Sequence, residues 1–182
     1  GNSSMSSILK VDQLQDSGGN NLVTSNGSGV ITAAGFGKMG QVKQTVMDDD
    51  FSTTSTSFTD VTGLSVSITP SSTSSKVMVE FHIGTHDMTS AGDFAYQIVR
   101  GSTAIGLGNG DGGTACTVGG TITQDRGEGI SMKFLDNPAT SSSTTYKIQV
   151  RTPSGNQFFI NTRDGNSNYH TISTITVTEI LP

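Results

Sequence analysis

The 182-residue sequence has no tryptophan, one cysteine, four prolines and charge on only 14% of its residues. A lone thiol, Cys116, excludes an internal disulfide framework, so packing or neighbouring subunits must stabilise the fold. No apolar run approaches the ~18–20 residues that span a bilayer as a helix, and the start lacks the charged and then apolar pattern of a secretory signal. No basic run is available to neutralise phosphates, and the net charge is −5, which argues against nucleic acid as a partner and against membrane insertion. Helix formers are scarce too: Ala, Leu, Glu and Lys number about 23 against about 52 for Val, Ile and Thr. Abundant instead are Ser, Thr and the 23 glycines, a composition suited to short strands joined by tight turns.

The character of the chain changes near residue 40. Residues 1–4, ahead of Met5, read as an expression scar and are set aside. From 5 to 40 the apolar residues Ile8, Leu9, Val11, Leu14, Leu22, Val23, Val30 and Ile31 are spread thinly among Gly, Asn and Ser. Such a segment cannot bury enough surface alone to offset its ordering entropy. It is either a disordered linker or an extended stem that orders by winding with identical copies. Paired turn signals, Ser17-Gly18-Gly19-Asn20 and Asn26-Gly27-Ser28-Gly29, favour the stem. Residues 41–182 form the head.

In the head a period of two sets in. Residues 41–47 place Val42 and Val46 on one face, and residues 58–69 alternate Leu64, Val66 and Ile68 with Ser and Thr before Pro70. The clearest case is 76–83, where Val77, Val79, Phe81 and Ile83 alternate with Met78, Glu80 and His82, predicting a strand in mid-sheet. Further strands are expected at 94–100, 129–135, 145–151, 157–160 and 172–180. Residues 101–127 read as one long insertion with short strand candidates at 104–108 and 116–123. About eight short strands at this spacing predict an all-β antiparallel sandwich or jelly roll.

Several segments resemble a domain of bacteriophage virion proteins, especially tail-fibre and fibre-like proteins of marine phages. They are STTSTSFTDVTGLSVSIT (52–69), SSTSSKVMV (71–79), YQIVRGSTAIGLG (96–108), FLDNPATSSSTTYKIQVRT (134–152) and STITVTEI (173–180), with SILKVDQLQDSGG (7–19) resembling the opening of such proteins. The resemblance implies a jelly roll similar to the C1q and tumour-necrosis-factor heads, assembled as a homotrimer on the surface of a virion. It also implies that residues 5–40 join the head to other virion proteins.

A search for reactive chemistry finds little. His82 and His86 are four apart, a helical ligand spacing that a strand passing into a loop does not bring to one face. Asp48, Asp49 and Asp50 could offer oxygens to calcium, but read more simply as a solvated loop. Asp164-Gly165-Asn166-Ser167-Asn168 begins like a calcium loop, yet Tyr169 stands where the glycine belongs and no glutamate closes it. No nucleophile elbow or phosphate loop occurs, and Cys116 has no partner motif. The expectation is a protein without metal or cofactor that is not an enzyme.

The expected function is that of a trimeric fibre or spike head mediating attachment to a host surface. The alternatives are a trimeric capsid decoration or head-fibre protein and, from a different class, a glycan-degrading enzyme. For the trimer interface, Met78, Glu80 and His82 lie opposite the core face of their strand, as Thr174, Thr176 and Thr178 lie opposite Ile175 and Val177. For a host glycan or receptor, strands numbered by the jelly-roll resemblance imply connections that alternate between the two ends and gather the loops 48–56, 85–93, 136–144 and 162–170 at one tip. These carry Asp48, Asp49, Asp50, His86, Asp87, Asp93, Asn137, Arg163, Asp164, Asn166, Asn168, Tyr169 and His170.

Overall fold

A computed structural model describes residues 11–25, 27, 31–33, 39–110, 113–123, 127–163 and 166–182, with backbone alone at 31–33 and 166–169. The chain divides into two compact units, Gly1–Lys38 and Met39–Pro182. No helix among the described residues is long and apolar enough to cross a membrane.

The first unit holds β1 (Gln13–Gln15), β2 (Asn21–Ser25) and β3 (Ile31–Ala33), extended strands paired antiparallel in that order. Asp16 builds the first turn by accepting from the N–H groups of Gly18 at 2.8 Å and Asn20 at 2.9 Å. Gly19 then takes a φ of 79°, which costs a glycine nothing. The second expected turn, apart from Gly27, lies outside the described residues.

The second unit contains β4 (Met39–Met47), β5 (Phe51–Thr53), β6 (Thr59–Ile68), β7 (Lys76–Met88), β8 (Gly92–Arg100), β9 (Thr103–Ile105), β10 (Val118–Ile122), β11 (Glu128–Asp136), β12 (Thr144–Arg151), β13 (Phe158–Ile160), β14 (Thr162–Arg163), β15 (Asn166–His170) and β16 (Ser173–Ile180). Among the described residues eight of these make two layers, a first sheet β4-β16-β7-β11 and a second sheet β10-β8-β12-β6, with all neighbours antiparallel. Numbered along the chain, the eight run 1-8-3-6 in the first sheet and 5-4-7-2 in the second, the interleaved double Greek key of a jelly roll. The remaining strands extend its edges. Strand β9 continues the pairing of β8 beyond β10, β13 continues that of β7 beyond β16 and carries β5, and β14 pairs with β15 as a hairpin.

Period-two alternation decides which side chains meet between the layers. Val77, Val79, Phe81 and Ile83 of β7 and Ile175 and Val177 of β16 are fully buried, as are Tyr96 and Ile98 of β8 and Tyr146, Ile148 and Val150 of β12. Each such side chain contributes roughly 1.5–3 kcal/mol of burial.

Bulges in β6 and β7 break the alternation. In β6, Gly63 has a φ of 91°, and the extra residues turn both Val61 and Leu64 inward. In β7, Ile83 pairs with Ile130 but His86 with Glu128, so Gly84 and Thr85 together oppose Gly129. That slip reverses the phase of the strand, and His86 and Met88 turn into the core. Gly84 is also where the chain entering β16 crosses β7, and a Cβ there would collide with the carbonyl of Ile172 and the side chain of Thr171.

Strand β10 corrects the expected path of the chain. It pairs with β8 from Val118↔Tyr96 to Ile122↔Gly92, so residues 101–127 contain a full return pass rather than a simple insertion. The connections after β11 and β12 change ends as a result, while residues around His170 stay at the far end. The near end, where β4 begins, gathers residues 69–75, 101–110, 113–117 and 137–143. At the far end lie residues 48–58, 89–91, 123, 127, 152–163 and 166–172.

Candidate functional site

The far end brings together part of the expected tip. Asp48, Asp49 and Asp50 are exposed beyond β4, and His170 Nδ1 lies 3.2 Å from Asp50 Oδ1. Asp93 is exposed at the start of β8 and accepts from Thr121 Oγ1 at 2.5 Å, while Arg163 is half-buried in β14. Asp164 and the side chains of Asn166, Asn168 and Tyr169 lie outside the described residues.

Three of the expected tip residues are elsewhere. Asn137 is at the near end, because the pass through β10 shifts the parity of the connections, and its carbonyl accepts from Arg100 Nη1 at 3.2 Å. His86 and Asp87 are not loop residues at all: β7 runs on to Met88, and both are buried. Asp87 Oδ1 accepts from the N–H of Met88 at 2.8 Å. The His86 ring packs 4.5 Å from Phe94, 5.5 Å from Phe158 and 5.8 Å from Tyr96, centroid to centroid. Its Nδ1 is 3.4 Å from the Tyr96 hydroxyl, and its buried Nε2 has no hydrogen-bond partner. Burial lowers the imidazole pKa from 6.5 to about 4, so the ring is neutral at neutral pH.

The far end is organised by a residue that the sequence did not single out. Asn161 is buried at a φ of 66°, a conformation that asparagine tolerates better than most residues. Its Nδ2 donates to the carbonyls of Met47 at 2.9 Å and Asp49 at 3.0 Å, and its Oδ1 accepts from Ser173 Oγ at 2.7 Å. One side chain thus fixes the end of β4 and the start of β16. At the near end Asp136 does comparable work, accepting from Arg100 Nη1 at 2.8 and 2.9 Å and from the Tyr146 hydroxyl at 2.7 Å. Glu179, also buried, accepts from Ser71 N, Ser71 Oγ and Gln41 Nε2. Burial pushes its carboxyl up, but these donors more than offset that and hold its pKa at about 2.

The outward face of the first sheet carries all six residues expected at a trimer interface, and the strand register aligns them. His82 pairs with Thr174, Glu80 with Thr176 and Met78 with Thr178. Strand β11 adds Ser131, Lys133 and Leu135 to these rows on one side, and β4 adds Val46, Gln44 and Val42 on the other. His82 Nδ1 lies 2.8 Å from Ser131 Oγ, and Lys133 Nζ lies 3.1 Å from Glu80 Oε2, so both titratable residues have partners within their own chain. The large apolar side chains here are open: Met39 is 65% exposed, Val42 52%, Val46 50% and Leu135 44%.

The outward face of the second sheet is polar and cross-linked. Gln97 Nε2 donates to Gln149 Oε1 at 2.6 Å, Gln149 Nε2 to Asp60 Oδ1 at 2.6 Å, and Lys147 Nζ to Asp60 Oδ2 at 2.8 Å. The hydrogen bonds from Lys147 and Gln149 lower the Asp60 pKa. Beside this ladder the Arg151 guanidinium lies over the Phe58 ring, 5.3 Å from its centroid. Sequence reading missed the ladder, although Lys147, Gln149 and Arg151 do alternate with the buried Tyr146, Ile148 and Val150.

Among the described residues no three of His, Cys, Asp and Glu converge on a position that could hold a metal ion. No family model and no curated protein matches the sequence. Among solved structures, the infectious bursal disease virus VP2 subviral particle is similar at 13% identity over 85% of this chain and 41% of that one, with a TM-score of 0.33. This chain thus spans less than half of that protein, and a superposition so loose carries no weight for function.

Proposed function

We propose that this chain is a virion structural protein whose jelly-roll head assembles as a homotrimer and mediates attachment to a host surface. The observation that carries the reading is the outward face of the first sheet. Val42 and Leu135 stand open there in the row of Thr178 and Met78, Val46 stands open in the row of Thr174, and Met39 opposite Ile180, on a sheet whose other side is already committed to the core. Open apolar side chains set along one regular sheet face, between rows of threonine and the Glu80–Lys133 pair, suit contact with a second and third copy related by symmetry. The sequence segments that resemble phage fibre domains supply the virion assignment, and residues 5–40 are the part assigned to joining the particle. A trimeric capsid decoration protein would use the same face, and immunogold labelling of particles separates tail from capsid.

The test is the mass in solution. Light scattering at micromolar concentration is expected to give three times the 18.9 kDa chain mass. A single-chain mass would overturn the assembly. Release of oligosaccharide from host polysaccharide, abolished by one carboxylate substitution, would replace the structural reading with an enzymatic one.

A further inference from the structure

We propose that the outward face of the second sheet binds an acidic polysaccharide chain along Phe58, Asp60, Gln97, Lys147, Gln149 and Arg151. This deepens the attachment reading by naming the chemistry of the partner, and it moves the contact from the far-end loops to a sheet.

Three neighbouring strands, β8, β12 and β6, each present one amide or carboxylate in a single row, Gln97, Gln149 and Asp60. Strands lie about 4.8 Å apart, comparable with the width of one sugar ring, so the row offers polar groups at the repeat of a chain of hydroxyls. Each group is held by its neighbour at 2.6–2.8 Å, so little rotamer freedom remains to be lost on binding. Much capacity is still unspent: an ammonium has three donors and an amide two donors and two acceptor sites, and each uses only part of them within the ladder.

Arg151 sets the charge of the ligand. The protein is acidic overall, with a net charge of −5, yet this strip combines Lys147 and Arg151 with the carboxylate of Asp60, and the next carboxylate on this side of β8, Asp93, is engaged by the Thr121 hydroxyl. Among the described residues no carboxylate forms an ion pair with Arg151; its Nε is buried, so the Nη groups are the donors left for a ligand. A planar guanidinium stacked on Phe58 presents a donor edge that fits a carboxylate or sulfate, while the adjoining row takes hydroxyls. A protein partner fits less well, because the centres of protein interfaces are depleted of charge. With the first sheet packed against other copies, the second sheet is the layer left facing outward.

Affinity electrophoresis of the full-length protein through gels containing polygalacturonate, sulfated dextran or neutral dextran tests this. Retardation is expected in one or both acidic polymers and not in the neutral one. Arg151→Gln and Gln149→Ala are each expected to weaken it about tenfold with unchanged melting temperature, while Lys43→Gln, which removes an exposed positive charge elsewhere, leaves it intact. No retardation in any gel, retardation in neutral dextran alone, or retardation that both face variants retain would overturn the proposal. Binding of labelled protein to host cells distinguishes the two levels. Cells bound equally by wild type and Arg151→Gln would refute this face while keeping the attachment reading, and cells not bound at all would refute attachment itself.

Discussion

On one side of the sandwich the outward rows read Val42, Met78, Thr178 and Leu135; on the other they read Asp60, Gln97, Lys147 and Gln149. The inward sides of the two sheets are nearly alike, a shared file of Val, Ile, Phe and Tyr at close to zero exposure. Folding therefore constrains only half of each strand. The other half is free to specialise, and here it has done so in opposite directions: open apolar and hydroxyl groups on one face, a hydrogen-bonded ladder on the other. What separates them is the use of surface, since both rest on the same alternation.

The largest expected effect breaks the contrast directly. Val42→Asp with Val46→Asp places charges on the face proposed for assembly, where each charge buried without a partner would cost about 3–5 kcal/mol, and light scattering should show a single-chain mass. Ser67→Asp on the second sheet should leave the mass unchanged, and a monomer from that variant instead would mean the faces have been exchanged. Next comes the layer that both faces share. Asp136→Ala strands the half-buried Arg100 and leaves the Tyr146 hydroxyl unpaired, with an expected loss of about 3 kcal/mol in urea denaturation.

A pH titration of stability sharpens the distinction between losing the head and losing the assembly. The His86 pKa is lower in the folded than in the unfolded chain, so as pH falls below about 6.5 the unfolded state takes up the proton first. Stability is expected to decline by about 3 kcal/mol between pH 6.5 and about 4 and then to level off for this group. His86→Leu should flatten that window. Glu179 acts in a lower one: its carboxyl is depressed, so its contribution is present above about 4.5 and is lost as pH falls towards 2. The smallest effect is expected from deleting residues 5–38. The head should keep its β-sheet circular dichroism, melt within a few degrees of the intact protein and retain its trimeric mass, because its core is closed without them.

The alternation of β7, β12 and β16 was legible in the sequence because each strand has one buried side and one open side. The features that escaped were those with no periodic signature. A bulge announces itself only as a glycine within a strand, and Gly84 moved His86 from an expected loop into the core. Gly119 and Gly120 weakened the signal of β10, and one unrecognised pass sent Asn137 to the wrong end. Strands β5 and β14 have three residues and two, too short for any pattern to emerge. The ladder on the second sheet was hidden for another reason. Gln97 lies 52 residues from Gln149, and Gln149 lies 89 from Asp60, so their meeting depends on strand order rather than on local spacing.

The register of β4 against β16, from Ser173↔Met47 at the far end to Ile180↔Met39 at the near end, also has a mechanical meaning. A force pulling Met39 and Ile180 apart would open this pair like a zipper, breaking one rung at a time. If the head is gripped at the far end and pulled through β4 from Met39, the load runs along the strand and is shared across the whole ladder at once, because the hydrogen bonds lie perpendicular to it. The same two strands are thus weak against separation of their neighbouring ends and strong against tension along the axis of the sandwich.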